Sequence, residues 1–502
     1  MRLSCVKGTP SPVPQPFNLA AYVLAEAEAL ADKTALAIVS PRGAARWRYG
    51  TLLHAVQGIA AGFRAEGLLP GDRVLMRLGN EVEFPLCFLG AIWAGLIPVP
   101  ASAALTVPEI THLAAELNPK LIVAAPGVSL PDAPPCPVLP ALALREMEAE
   151  GPIPPVMGDP DRPAYIVYTS GTSGAPRGVV HAHRAIWARR MMWEGWYSLR
   201  PEDRLLHAGA FNWTFTLGTG LLDPWSIGAT ALIPAEDVDP AQLPLLLKRF
   251  DATIFAAAPG LYRRILQDAP KIDAPKLRHG LSAGEQLSAP LRRRWQAATG
   301  TAVHEALGMS ECSTFVSGSP ARPAPTGATG YAQAGRSLAV LDARGAPVPR
   351  GSPGMLALHR GDPGLMRGYL GAPEETASRF IGDWFVTGDT VTMAEDGAIS
   401  YLGRADDMMN AGGIRVSPLE VEAALLAHPG IDEVACAEVR VKADTTVIAA
   451  FYTGPAPLPE ESLTAFAAAR LARYKQPRHY EHRAHLPRAA NGKLSRRALR
   501  SG

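Results

Sequence analysis

The stretch Tyr168-Thr169-Ser170-Gly171-Thr172-Ser173-Gly174-Ala175-Pro176-Arg177-Gly178 packs three glycines and four short hydroxyl residues behind the apolar run Ala164 to Val167. Glycine lets successive backbone N–H groups turn inward toward an anion, and serine and threonine add donors that follow phosphate oxygens as they move. Arg177 adds positive charge, so the stretch reads as a phosphate loop. Two common kinds are excluded by spacing. The second glycine of G-x-x-x-x-G-K-[ST], counted from Gly171, would fall on Pro176. Gly171, Gly174 and Gly178 also do not fit G-x-G-x-x-G.

Outward from the loop, the texture is that of an α/β protein. Leu52, Val56, Ile59 and Phe63 recur on one helical face. Arg73 to Leu78 reads as a strand, Phe84 to Leu96 as a buried helix, Ile110 to Leu117 as a helix and Leu121 to Ala125 as a strand. A proline-rich connector from Pro126 to Pro155 leads to the loop, and beyond it strands are predicted at Leu205 to Ala208, Thr230 to Ile233, Thr253 to Ala257 and Leu277 to Ser282. This alternation implies parallel, doubly wound sheets covered by helices. From about residue 380 the pattern becomes β-rich, through Trp384 to Leu402. Ser417-Pro418-Leu419-Glu420 then has the form of a capping box opening a helix. Strands at Val434 to Val439 and Val447 to Tyr452 and a helix from Glu460 to Arg473 complete a small α+β region. The division expected is a large domain over 1–405 and a small, mobile one over 406–502.

With 502 residues the chain is long enough for more than one domain, and its 49 basic and 47 acidic residues give a net charge of +2. That balance implies no nucleic-acid partner. Five scattered cysteines without C-x-x-C spacing suit a reducing compartment. The N-terminus lacks the apolar core of a secretory signal, and the longest apolar stretch, Phe84 to Pro98, is too short to cross a bilayer. The expectation is a cytoplasmic protein with no membrane partner, and a homodimer is left open. Lysine occurs at only nine positions, so one inside a motif stands out. His181 and His183 have metal-like spacing, but with no third ligand in view they read as structural histidines.

The loop resembles the nucleotide loop of the adenylate-forming superfamily, [YF]-T-S-G-[ST]-T-G-x-P-K-G, with Ser173 for Thr and Arg177 for Lys. Four further segments carry the same resemblance in the family's order, over nearly the whole chain. Ser282-Ala283-Gly284-Glu285 matches the segment bordering adenine. Leu307-Gly308-Met309-Ser310-Glu311 resembles Y-G-x-[ST]-E, which implies Ser310 at the α-phosphate and Glu311 on Mg²⁺; Leu307 departs from the usual Tyr and removes its stacking surface. Thr387-Gly388-Asp389, followed by Gly403-Arg404, implies that Asp389 and Arg404 meet the ribose. Pro487-Arg488-Ala489-Ala490-Asn491-Gly492-Lys493 resembles P-R-x-x-x-G-K, which makes Lys493 the adenylation lysine.

The resemblance is nearest to acyl-CoA synthetases, and His207 to Thr230 is similar to benzoate-type CoA ligases. It implies ATP, Mg²⁺ and CoA, with Thr169, Ser170, Gly171, Thr172, Ser173, Gly174 and Arg177 at the phosphates. It also implies a hinge at Asp406 that brings Gly412 and Gly413 toward the CoA channel. The acid is expected to meet Phe211, Trp213, Phe215 and Leu307, although three aromatics in five residues are equally what an ordinary core contains. No basic residue lies between Phe211 and Ile227, which points away from a dicarboxylate. The implied activity is AMP-forming ligation of an aryl or medium apolar carboxylic acid to CoA; the alternative is a stand-alone enzyme that loads the acyl group onto a carrier protein.

Overall fold

The structure is a computed structural model, and it describes residues 2–169, 177–405, 407–411, 414–442, 445–471, 473–488 and 492–500. Its contacts divide the chain into two compact units. One comprises residues 7–337 and 359–380; the other comprises 1–6, 338–358 and 381–502.

The larger unit is built on a nine-stranded sheet ordered Tyr331–Ala332, Ser313–Ser317, Val303–Met309, His279–Ala283, Ile254–Ala257, Arg204–His207, Thr230–Pro234, Thr34–Ser40, Gly43–Arg48. The six strands from Val303–Met309 to Thr34–Ser40 run parallel, and antiparallel strands close both edges. Burial explains the sequence of the middle: Ile254, Phe255, Ala256 and Ala257 are all 0% exposed, the continuous apolar run that a sheet covered on both faces demands. A second sheet, ordered Ile97–Pro100, Arg73–Arg77, Leu121–Ala124, Val138–Pro140, is parallel throughout. The helices Tyr49–Ala65 and Glu83–Trp93 pack beside it. Leu52, Val56, Ile59 and Phe63 form the buried stripe of the first, and every residue of the second is buried.

A third, three-stranded antiparallel sheet was not anticipated. It is ordered Gly368–Tyr369, Arg177–Ala182, Pro163–Thr169. The chain therefore enters the glycine-rich stretch from one strand and leaves it into another, and the next helix begins only at Arg184.

The smaller unit holds a mainly antiparallel sheet that includes Leu338–Leu341, Gly354–His359, Trp384–Met393 and Ile399–Arg404, and an α+β part built on Glu433–Lys442, Thr445–Thr453 and His479–His482. The helix expected at Ser417 is present as Pro418–Leu425, but its capping box is not. The Ser417 hydroxyl donates instead to the Leu402 carbonyl, and Glu420 is taken by Lys475. The side chain that would cap the helix ties it instead to the half-buried Leu402 at the end of the preceding strand.

This arrangement ranks two substitutions. Ser417→Ala removes the hydrogen bond of a buried hydroxyl to a half-buried carbonyl and is expected to cost about 0.5–1.5 kcal/mol, whereas Glu420→Gln removes a largely exposed ion pair worth about 0–1 kcal/mol. Urea midpoints of the two variants check the order; a larger loss from Glu420→Gln would restore the capping box.

Candidate active site

The register of the small sheet pairs Tyr168 with Gly178 and Thr169 with Arg177, so these residues flank the glycine-rich stretch at the end of an antiparallel hairpin. Ser170, Gly171, Thr172, Ser173 and Gly174 lie outside the described residues, as do Asp406, Gly412 and Gly413. Arg177 is ion-paired with Glu375 on the short helix Pro373–Ser378. Gly368 and Tyr369 pair with Val180 and Val179, which brings the Tyr369 phenol to the carboxylate of Glu311: its O–H donates to Oε1 at 2.7 Å. Burial and the Glu311 carboxylate both raise the phenol's pKa well above its ordinary value, so it remains a donor.

Glu311 and Ser310 sit where the strand Val303–Met309 turns back into Ser313–Ser317. The register slips between Leu307 and Gly308, and a Cβ on Gly308 would lie 2.3 Å from the Ser313 carbonyl oxygen and 2.6 Å from Thr314 Cα. Only glycine allows that approach of two backbones. Two contacts fix the turn. The Met366 N–H donates to the Glu311 carbonyl at 2.7 Å, and His181 Nε2 is 2.8 Å from the Ser310 carbonyl oxygen. Because a carbonyl only accepts, Nε2 carries the proton. Buried His181, stacked on Tyr165 with ring centroids 4.8 Å apart, has its pKa pulled down to about 4 by desolvation and is neutral. His183 is likewise held by backbone, its Nδ1 accepting from the Leu19 N–H at 3.0 Å. Among the described residues no group of three or more His, Cys, Asp or Glu side chains could hold a metal ion.

Register also pairs Ala283 with Ala306, so the segment bearing Gly284 and Glu285 leaves the sheet beside half-buried Leu307. Ala283 is buried, and Gly284 turns out of the strand at φ +95°.

The aromatic cluster divides. Phe211 is 1% exposed and packs on Phe84 at 5.2 Å, inside the main core. Phe215 is half-buried, stacked on Trp196 at 5.7 Å and edge-on to His207 at 4.4 Å; Trp213 is also half-buried. Asn80 holds the loop ahead of them, donating to the Gly209 carbonyl at 2.8 Å and accepting from the Phe211 N–H at 2.9 Å. Thr214 in this segment bounds a cavity of about 20 Å³ with Tyr165, His181, Arg189, Ser310 and Ser313. There is also an open cleft of about 370 Å³, whose lining includes Gly79, Ala103, Ala104, Gly209 and Asn212.

Arg189 lies outside the stretch 211–227, which lacks basic side chains, yet it lines the cavity beside that stretch. It is buried, and its Nε and Nη2 donate to Asp223 at 2.8 and 2.6 Å. Burial works against the guanidinium charge, but Asp223 together with Tyr197 and Tyr165 offsets it and the pKa is raised. The cavity wall is therefore polar without net charge.

In the smaller unit, register pairs Asp389 with Arg404, and Arg404 Nη1 donates to Asp389 Oδ1 at 3.2 Å and to the Thr387 carbonyl at 3.1 Å. The two residues assigned to the ribose are thus neighbours. Lys493 is exposed, in a turn braced by Arg488, which donates to the Gly492 carbonyl at 2.9 Å and to Glu433 at 2.7 Å.

The buried histidines set an acid limit. His181 falls to about 4 and His183 and His207 to about 3, each chiefly through desolvation, against an unfolded value near about 6.5. Below that value the unfolded chain binds protons that the folded one refuses, so stability falls as pH drops from about 6.5 toward 4. Melting midpoints across that window are expected to fall, and less steeply in His181→Gln than in the parent. An unchanged slope would assign the proton uptake to other groups.

Comparison with known proteins accounts for this arrangement. Residues 24–370 match the AMP-binding enzyme family, and residues 420–493 match the AMP-binding enzyme C-terminal domain. The chain is 31% identical to the benzoate–CoA ligase of Thauera aromatica over 463 residues, covering 87% of this chain and 86% of that one. Among solved structures, it superposes with a TM-score of 0.87 on an anthranilate CoA ligase in complex with anthranoyl-AMP, at 26% identity over 97% of this chain and 98% of that one. It superposes equally, with a TM-score of 0.87, on ATP-bound MatB from Rhodopseudomonas palustris, at 27% identity over 97% and 99% of the two chains. The chain belongs to the AMP-binding enzyme family and carries that family's C-terminal domain.

Proposed function

We propose that this protein is an AMP-forming acid–CoA ligase acting on an aryl or medium apolar carboxylic acid. The observation that carries the reading is the linkage of Thr169, Arg177, Ser310 and Glu311 through one small sheet, in a chain whose relatives include a benzoate–CoA ligase matched over 87% of its length. In the first half-reaction a carboxylate oxygen attacks the α-phosphorus of ATP and the bond to pyrophosphate breaks. In the second the CoA thiolate attacks the acyl carbon and AMP departs.

The roles follow from the chemistry of each group. Thr169, the loop after it and Arg177 receive the β- and γ-phosphates, and Ser310 donates to the α-phosphate. Ala283, Gly284 and Glu285 border the adenine; Asp389 and Arg404 take the ribose. Lys493 places a mobile ammonium on charge that develops between the carboxylate and phosphate oxygens. Glu311 fits Mg²⁺: the ion takes hard oxygen donors and is usually held by one or two carboxylates plus substrate phosphates, and Tyr369 occupies only one of the two carboxylate oxygens. When bound, the ion neutralises phosphate charge.

Trp213, Phe215 and Leu307 offer the acid an apolar surface, and the polar, neutral wall formed by Arg189 with Asp223 offers no free cation for a second carboxylate. The cleft beside Gly209 lies at the carboxyl ends of parallel strands, where ligands of α/β sheets gather, and its small lining residues suit the narrow pantetheine arm.

Two measurements test the reading. Pyrophosphate release over a panel of benzoate-type and aliphatic acids, with and without CoA, is expected to show turnover with thioester formation. Adenylate accumulating without thioester in the presence of CoA would favour carrier loading instead. Lys493→Ala is expected to slow adenylation by about 10²–10³-fold while leaving thioester formation from supplied acyl-adenylate largely intact. Equal losses in both half-reactions would remove Lys493 from its assigned role.

A further inference from the structure

One short segment touches both of the charged groups assigned to the triphosphate. From Met366 to Thr376 the chain binds the Ser310–Glu311 turn through the Met366 N–H and the Tyr369 hydroxyl, and it pairs with the strand that begins at Arg177. The Thr376 hydroxyl then accepts from the Tyr369 N–H and donates to the Ala372 carbonyl, each at 2.9 Å. This fixes the first turn of the helix Pro373–Ser378 relative to Tyr369. Glu375, on that turn, is thereby held at Arg177, and the two side chains are 32% and 27% exposed. The carboxylate is neither a loose surface contact nor a buried ion pair that is costly to open.

A guanidinium has a fixed planar fork, and a carboxylate and a phosphate compete for its edges. Any anion that reaches Arg177 must displace Glu375 or lie beside a second negative charge. We propose that Glu375 is a positioning residue that exchanges with pyrophosphate at Arg177, loosening the grip on ATP and taking the guanidinium back as pyrophosphate leaves. The proposal rests on the reading of Arg177 as the pyrophosphate-facing cation. Its consequence is kinetic direction: an internal anion waiting for the same cation lowers affinity for the leaving group and so disfavours reversal of adenylation.

The test is direct binding of pyrophosphate by calorimetry, with no acid present, together with its inhibition constant against adenylation. Glu375→Gln keeps the shape of the side chain and removes its charge. It is expected to tighten pyrophosphate binding about two- to fivefold, the range set by a partly exposed ion pair, and to lower the inhibition constant equally. Glu375→Asp, which draws the carboxylate back, should fall between it and the parent, and a melting scan of each variant separates these effects from misfolding. Arg177→Ala should weaken pyrophosphate binding, and Glu375→Gln should have no effect in that background. If Glu375→Gln leaves affinity unchanged or weakens it while Arg177→Ala weakens it, the exchange is refuted and the role of Arg177 stands. If Glu375→Gln tightens binding even without Arg177, the carboxylate acts by general repulsion and the exchange is again refuted. Unchanged affinity in Arg177→Ala would overturn the underlying assignment itself.

Discussion

The hydrogen bond from His181 to the Ser310 carbonyl joins two parts of the larger unit that are remote in sequence. The strand Arg177–Ala182 leaves the glycine-rich stretch, and the turn at 310–311 carries the hydroxyl and carboxylate assigned to the α-phosphate and the metal. A turn between two antiparallel strands has few internal constraints, so a carboxylate on it would otherwise wander. Burial makes the bond dependable in one tautomer: a neutral imidazole next to a carbonyl must present Nε2–H, and the cost of burying an imidazolium keeps it neutral well below physiological pH. Tyr369, on the adjacent edge strand of the same sheet, repeats the design by holding the carboxylate itself.

Beneath this turn the same logic is applied to a charged group. Arg189 is enclosed by Asp223, Tyr197, Thr219 and Ser313, all within hydrogen-bond reach. Its enclosure depends on Gly218, where a Cβ would lie 2.2 Å from the guanidinium carbon. A buried pair of this kind adds little net stability over an apolar replacement, because desolvation offsets the Coulombic gain. Its effect is orientational: it fixes the irregular helix Thr216–Leu222 against the residues that bound the cavity.

Much of this was legible in the sequence, for an identifiable reason. Strands and helices whose burial is set by their own sequence pattern are predicted within three residues of their observed ends, among them Arg73–Arg77, Ile254–Ala257 and Val107–Leu117. Ser310 with Glu311, and Asp389 with Arg404, could be singled out because each pair lies within one short motif or one hairpin. What stayed hidden depends on partners far along the chain. The strand Gly368–Tyr369 has two residues, too few to show a period, and its partner lies almost 200 positions earlier. Arg189 and Asp223 are unremarkable singly and meaningful only as a pair. Phe211 and Phe215 have the same composition around them, yet one points into the core and the other does not, and no local pattern separates them. Ser417 satisfied the capping motif, but the Leu402 carbonyl claimed its hydroxyl.

The hairpin also bears on how this protein holds phosphate. A loop that opens a helix can place an anion on the helix N-terminus, where unpaired N–H groups and the macrodipole supply positive potential without any charged side chain. Here a strand precedes the loop and a strand follows it, and strand dipoles largely cancel. On the proposed reading, the positive potential would then come from backbone and side-chain donors and from a cation beside the loop, the part assigned to residue 177. Arginine suits that position in a way lysine does not. Its charge cannot be lost to burial at any working pH, and its fork can keep one edge on a carboxylate while offering another to a phosphate. A glutamate within reach then costs the site some affinity without depriving it of charge, a compromise a single ammonium point charge would make less well.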